Sequence, residues 1–376
     1  MRRRDFGLTM LATPLLAKTP KKLRVYVGTY TRKASKGIYQ FEMDLATGAL
    51  KPMGVAAETE NPSFLALHPK GNLMYSVGEL SEFKGEKVGS VNSYSIDRGT
   101  GKLTLLNQVG SAGSGPCHVK VSDNGRFVLC ANYNSGSAAA FALDADGKIG
   151  KRTAFHQHVE PFGPLKPRQA GPHAHSVNLD KANRHVVVAD LGKDRVLIYK
   201  FDAKTGAMTP HGEFVGAPAS GPRHFAFHPN AKWAFVINEI NCTLTALNWD
   251  GTAGKLTEIN TEPTMPIPAA PGLSTAETVV HPNGRFVYGS NRGHDSIAIF
   301  SIDGSTGRVA RIGNESTQGK VPRNFNIDPT GQFLVAANQD SDSLVVFRID
   351  AATGKLTPVG SPVEAPVPVC VKFLAI

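Results

Sequence analysis

Residues 343–356 read SLVVFRIDAATGKL: an apolar run ending in Asp350, a short turn closed by Gly354, and the start of a second strand. Aspartate can bond its own turn backbone, and glycine supplies the positive φ such a turn requires. The same frame occurs six times upstream, as GIYQFEMDLATGAL (37–50), VNSYSIDRGTGKL (91–103), AAAFALDADGKI (138–149), RVLIYKFDAKTGAM (195–208), LTALNWDGTAGKL (244–256) and SIAIFSIDGSTGRV (296–309). The seven aspartates, Asp44, Asp97, Asp144, Asp202, Asp250, Asp303 and Asp350, lie 53, 47, 58, 48, 53 and 47 residues apart. A period in that range marks a protein of repeated units, each burying its faces against its neighbours.

A second hairpin precedes six of these copies. It is clearest in RHFAFHPNAKWAFVINE (223–239), AETVVHPNGRFVYGSNR (276–292) and RNFNIDPTGQFLVAANQ (323–339). Its apolar runs are continuous, as in strands covered on both faces. Four strands in each of seven units predict an all-β, seven-bladed β-propeller with antiparallel blades. One copy is split between LRVYVGTY (23–30) and PVCVKFLAI (368–376). The N- and C-terminal strands are therefore expected to pair and close the ring, which removes free sheet edges.

Length alone suggests more than one domain, but the repeats fill residues 21–376 and argue for a single one. With 38 Gly, 25 Pro and 41% hydrophobic residues, the composition suits a turn-rich all-β chain. Of the net charge of +10, residues 1–24 supply +6, through seven basic residues against Asp5. The remainder is spread without basic clusters, which argues against nucleic acid as a partner. Arg3-Arg4-Asp5-Phe6 ahead of a short apolar stretch resembles a twin-arginine export signal, so residues 1–20 are expected to be a leader and the protein periplasmic. The alternative is a basic tail on a cytoplasmic protein. No membrane span is expected, because the apolar stretch is short and holds Pro14. Four cysteines are too few for a disulfide framework. Cys117 and Cys130 could bridge one hairpin, but buried free thiols are the expectation.

In a propeller the first strand of each blade is innermost, so the start of that strand and the end of the next rim one mouth of the central channel. The starts hold Ser63, Cys117, His175, Arg223, Ala276 and Arg323; the ends hold Tyr30, Glu79, Tyr133, Leu191, Glu239, Arg292 and Gln339. Scaffold positions would repeat from blade to blade; these do not. Convergent polar groups at a channel mouth make a ligand site the first hypothesis.

The stretches GPHAH, GPRHFAFHP, NRGHDSIAIF and PRNFNIDPTGQFLVAANQDSD resemble the seven-bladed lactonase family, which includes 6-phosphogluconolactonase and carboxymuconate cyclase. The likeness covers residues 23–376. It implies a lactone hydrolase acting on a sugar-acid lactone, with no cofactor. By motif position it implies a catalytic set of His175, Arg223, Glu239 and Arg292. Arginines can hold an oxyanion or a carboxylate, and either Glu239 or His175 could serve as general base. His173, Asn291, Asp295, Arg323 and Gln339 are candidate substrate or supporting contacts. A metal is not expected, since His173 and His175 have no adjacent third ligand. His118 and His224 are expected to face between blades, and His68, His228 and His281 to serve turns. A cycloisomerase acting on a muconate-type diacid and a non-catalytic, ligand- or protein-binding propeller are the rival readings, and a monomer is expected. Neither a G-x-S-x-G elbow nor a phosphate-binding glycine loop is present.

Overall fold

The computed structural model describes residues 21–376; the expected leader at 1–20 lies outside them. Strands β1 (Lys22–Thr29), β2 (Gly37–Asp44) and β3 (Leu50–Glu58) open blade 1. Blade 2 holds β4 (Leu65–Leu67), β5 (Leu73–Gly78), β6 (Ser90–Ile96) and β7 (Leu103–Gly110). Blade 3 holds β8 (Pro116–Val121), β9 (Phe127–Asn132), β10 (Ser137–Leu143) and β11 (Ile149–Gln157). Blade 4 holds β12 (Ala174–Leu179), β13 (His185–Asp190), β14 (Arg195–Phe201) and β15 (Met208–Val215). Blade 5 holds β16 (Pro222–Phe227), β17 (Trp233–Asn238), β18 (Thr243–Asp250) and β19 (Lys255–Pro263). Blade 6 holds β20 (Ser274–Val280), β21 (Phe286–Arg292), β22 (Ser296–Ile302) and β23 (Val309–Ser316). Blade 7 holds β24 (Pro322–Ile327), β25 (Phe333–Asn338), β26 (Ser343–Ile349) and β27 (Leu356–Glu364). The last strand, β28 (Pro368–Ala375), returns to blade 1 and becomes its innermost strand.

Ring closure follows the split copy. β28 pairs antiparallel with β1 from Leu23↔Ala375 to Thr29↔Pro368, so the two ends of the repeat region share one sheet. Each sheet is four-stranded and antiparallel, and in blades 2 to 7 the strands run in chain order from the axis outwards. Apolar side chains between blades form the core: Val335 and Ala337 of blade 7 meet Val25 and Val27 of blade 1, for example. The second strands β13, β17 and β25 are buried throughout, while the outermost strand β15 is largely exposed.

The repeated turns behave as their sequence requires. Asp350 accepts from the backbone N–H groups of Ala352 and Thr353, and Gly354 has φ 73°. The turn histidines reach sideways: His68 bonds the Gly125 carbonyl, His228 that of Gly284 and His281 that of Gly331. Each of these ties one blade to the next. Tyr26, Tyr75 and Tyr288 do the same through their hydroxyls, to the carbonyls of Gly101, Gly147 and Gly354. A rigid ring results, with the innermost strands facing the channel.

Candidate active site

The innermost strands are not regular. Their register shifts between Pro116 and His118, Ala174 and Ser176, Pro222 and His224, and Pro322 and Asn324. The extra residues are Cys117, His175, Arg223 and Arg323. A bulge breaks the in–out alternation and re-aims side chains. It lets two successive residues face the axis, giving the channel two stacked layers. The upper layer contains the expected starts of the first strands, completed by Val369 of β28.

The lower layer corrects one expectation. His118 and His224 do not lie between blades. The Phe64 ring of blade 2 stacks on His118 of blade 3 at 4.1 Å and meets His224 of blade 5 edge-on at 5.7 Å, which places all three across the channel. His224 Nδ1 lies 2.8 Å from Glu277 Oε1, and Asn324 donates to the other carboxylate oxygen. Burial, reinforced by neighbouring cationic groups, holds His118 and His224 neutral.

Above this plug, Glu239 is the centre of charge. It follows β17 and is buried. Arg223 Nε donates to its Oε2 at 2.7 Å and Arg292 lies 2.9 Å from the same oxygen. Arg168 donates to Oε1 at 2.5 Å. Burial alone would raise the carboxyl pKa, but Arg292, Arg223 and Arg168 outweigh it and hold Glu239 well below the carboxylate range. Arg223 also donates to the Ala276 carbonyl, and Arg292 to that of Thr275. Burial and the nearby Arg323 and Arg292 press Arg223 down to about 10, still charged at neutral pH.

His175 Nε2 lies 4.0 Å from Glu239 Oε2, and its Nδ1 lies 3.7 Å from Cys117 Sγ. Burial first, then Arg223, His224 and Arg323, keep the imidazole neutral. Tyr133 packs against it edge-on and stacks on His173. Opposite, Arg323 lies over the Tyr30 ring at 5.4 Å, while Tyr30 and Ser63 donate to Glu79. Burial opposes the Arg323 charge, but Tyr30 and Glu79 more than restore it. Cys117, His175, Arg223 and Arg323 border a space of about 10 Å³, room for one water.

The other candidates are dispersed. His173 bonds the Tyr133 carbonyl beside the mouth. Asn291 is buried, its amide donating to the Thr264 carbonyl and Ser296 Oγ. Asp295 accepts from the N–H groups of Gly293 and Val321, and Gln339 turns to Asp340. The four cysteines are free and buried. Among the described residues no group of three His, Cys, Asp or Glu could hold a metal ion, and no helix is long and apolar enough to cross a membrane. A groove of about 660 Å³ at the far end of blade 5 is more spacious, but Asp250, Gly251 and Thr252 in its wall are the repeated turn of the scaffold. Arg168 was not legible as a site residue, because it sits in no repeat. Its one trace in the sequence is the 58-residue interval between Asp144 and Asp202, the longest of the six.

Residues 24–373 match the family described as Lactonase, 7-bladed beta-propeller. The chain belongs to that lactonase family. It is 41% identical over 349 residues to a 6-phosphogluconolactonase of Bacillus subtilis, covering 93% of this chain and 97% of the relative. A 6-phosphogluconolactonase of Formosa agariphila is 35% identical over 311 residues, covering 81% of this chain and 86% of the relative. The solved periplasmic gluconolactonase of Pseudomonas aeruginosa superposes with a TM-score of 0.88 at 30% identity, over 94% of this chain and 99% of that one. In this lactonase, the stretches GPHAH, GPRHF and SNRGH meet at Glu239 through His175, Arg223 and Arg292.

Proposed function

We propose that this lactonase is a monomer that hydrolyses a sugar-acid lactone of the 6-phosphogluconolactone type at the mouth built by His175, Arg223, Glu239 and Arg292. One observation carries the reading: a neutral imidazole, a water-sized space and a surplus of guanidinium groups adjoin one another in that mouth. Four arginines, Arg168, Arg223, Arg292 and Arg323, face two carboxylates, Glu79 and Glu239. That surplus suits an anionic ligand and a reaction that develops negative charge on oxygen.

His175 is the better base. The oxygens of Glu239 are taken up by arginines, and a carboxylate held so far below its usual range has little affinity for a proton. In the proposed step, water oxygen attacks the lactone carbonyl carbon and its proton passes to His175 Nε2. The oxyanion is stabilised by Arg323 and Arg292, and the new imidazolium by Glu239 4.0 Å away. Collapse breaks the ring C–O bond, and the proton moves to the departing alkoxide, giving the open-chain sugar acid. Arg223 holds Glu239 in place from beneath.

The test is a lactone panel containing phosphorylated and unphosphorylated aldonolactones, run on the wild type, Glu239→Gln and Arg223→Met. Hydrolysis by the wild type and a loss of about 10²-fold or more in both variants are expected. Equal hydrolysis in all three would sink the site, and turnover of a muconate-type diacid without net hydrolysis would replace the reaction. We also propose that residues 1–20 direct export, a reading that the periplasmic Pseudomonas relative supports. Export would favour an unphosphorylated aldonolactone as the natural substrate, so the ranking within the panel bears on compartment as well.

A further inference from the structure

We propose that Arg168 is a specificity residue, carried over the mouth on a strap formed by residues 158–173, where it grips the charged group of the substrate and sets the preference for a phosphorylated over a neutral lactone. The inference rests on the hydrolase reading above.

The strap is far longer than its connection requires. It joins the outermost strand β11 to the innermost strand β12 of the next blade. Four strands spaced by about 4.8 Å put those ends roughly 15 Å apart, which five or six extended residues span. Residues 216–221 and 111–115 make the equivalent crossings. The segment 158–173 is the longest of the seven, and it carries Arg168 to Glu239.

It is also pinned at several points. His158 Nδ1 meets Asp190 Oδ2 at 2.5 Å, and Lys193 donates to the Val159 and Pro161 carbonyls. Gly163 N–H bonds the Gly192 carbonyl at 2.8 Å. Gln169 is fully buried and donates to the Leu191 carbonyl at 2.9 Å and Asp194 Oδ1 at 2.7 Å. Gln169 is thus the foot, and Arg168 beside it is the arm.

The arm is built unlike its neighbours. Its side chain is 45% exposed, against 2% for Arg223 and 16% for Arg292, although all three meet Glu239. One nitrogen of Arg168 engages Glu239 and the Tyr133 side chain lies beside the guanidinium, while the half-exposed fork keeps further N–H groups in reach of solvent. A guanidinium presents paired donors that match a phosphate or carboxylate edge. A purely structural role is poorly suited to the geometry, because Glu239 already has two buried partners and a half-exposed third ion pair adds little stability.

Steady-state kinetics with 6-phosphogluconolactone and gluconolactone, and calorimetric binding of 6-phosphogluconate and gluconate, would compare the wild type with Arg168→Gln and Arg168→Lys. Arg168→Gln is expected to raise KM and Kd for the phosphorylated ligands about 10- to 100-fold. The neutral lactone and gluconate should weaken at least tenfold less than the phosphorylated pair, with Arg168→Lys restoring part of that discrimination. Equal weakening for both ligands, or a loss confined to kcat, would overturn the proposal. If the wild type turns over no lactone, the hydrolase reading fails, while the 6-phosphogluconate titration still judges Arg168. Should Arg168→Gln not fold, Arg168→Lys decides: unchanged discrimination between the two ligands refutes a role for the fork geometry.

Discussion

Replacing Glu239 by Gln tests the electrostatic logic of the mouth, because the change is nearly isosteric, removes the charge and turns one acceptor oxygen into a donor. Glu239 compensates Arg223 at 2.7 Å, Arg292 at 2.9 Å and Arg168 at 2.5 Å, the first two largely out of solvent. Removing one member of a buried ion pair costs about 3–5 kcal/mol, since the remaining charge stays desolvated and unpaired. For a cooperative domain of this size the unfolding entropy converts that to a fall in Tm of roughly 4–7 °C. The pH dependence has a defined sign. The folded carboxyl is depressed below its unfolded value near 4.3, so its contribution is fully present above that pH and fades as the pH falls through the folded value. The deficit of Glu239→Gln in differential scanning calorimetry should therefore be full between pH 5 and 8 and should narrow towards pH 3. A Tm within about 1 °C of wild type at pH 7, or a deficit equally large at pH 3 and pH 7, would refute the assignment of Glu239 as the counter-charge of the three arginines.

Other expectations follow from the same geometry. His175→Asn should lower kcat by about 10²–10⁴; in the wild type the acid limb of kcat/KM should lie well below pH 6.5, and a limb at the ordinary histidine value would contradict a depressed His175. His118, His175 and His224 are all held neutral, so each costs stability as the pH drops below about 6.5, by up to about 1.4 kcal/mol per pH unit. Glu277, raised by burial, acts in the opposite direction. Tm should still fall from pH 7 to pH 5, and His118→Asn should flatten that slope; an unchanged slope would exclude His118 as a contributor. A Cβ at Gly192 would lie 1.9 Å from the Gly171 carbonyl oxygen, so Gly192→Ala should displace the foot of the strap, visible as faster amide exchange in 158–173. Ending the chain before Pro368 removes the innermost strand of blade 1, and an intact cooperative melt in that truncation would contradict closure through β28.

The strands were legible because each hairpin carries its cause in its turn residues, and the rim was legible because alignment on those turns separates repeating from unique positions. Two things were hidden, for different reasons. A bulge adds a residue without changing hydropathy, and in β8 and β16 it set two channel-facing residues side by side. Strict alternation then misplaced His118 and His224. The same comparison between blades bears on Asn291. Asn132 and Asn338 occupy equivalent positions at the ends of their second strands and donate to the Ser111 and Thr317 carbonyls as Asn291 does to Thr264. A polar residue that recurs with the same bond in several blades holds the crossing segments in place. Arg168 is the reverse case. The repeat supplies no equivalent for a residue in an insertion, so only the stretched interval marked it, and only the folded ring brings it to Glu239. What sets one member of such a family apart is therefore best sought in the connections that exceed the span they must cross. Here the largest excess, residues 158–173, carries Arg168 to the one carboxylate that three arginines share.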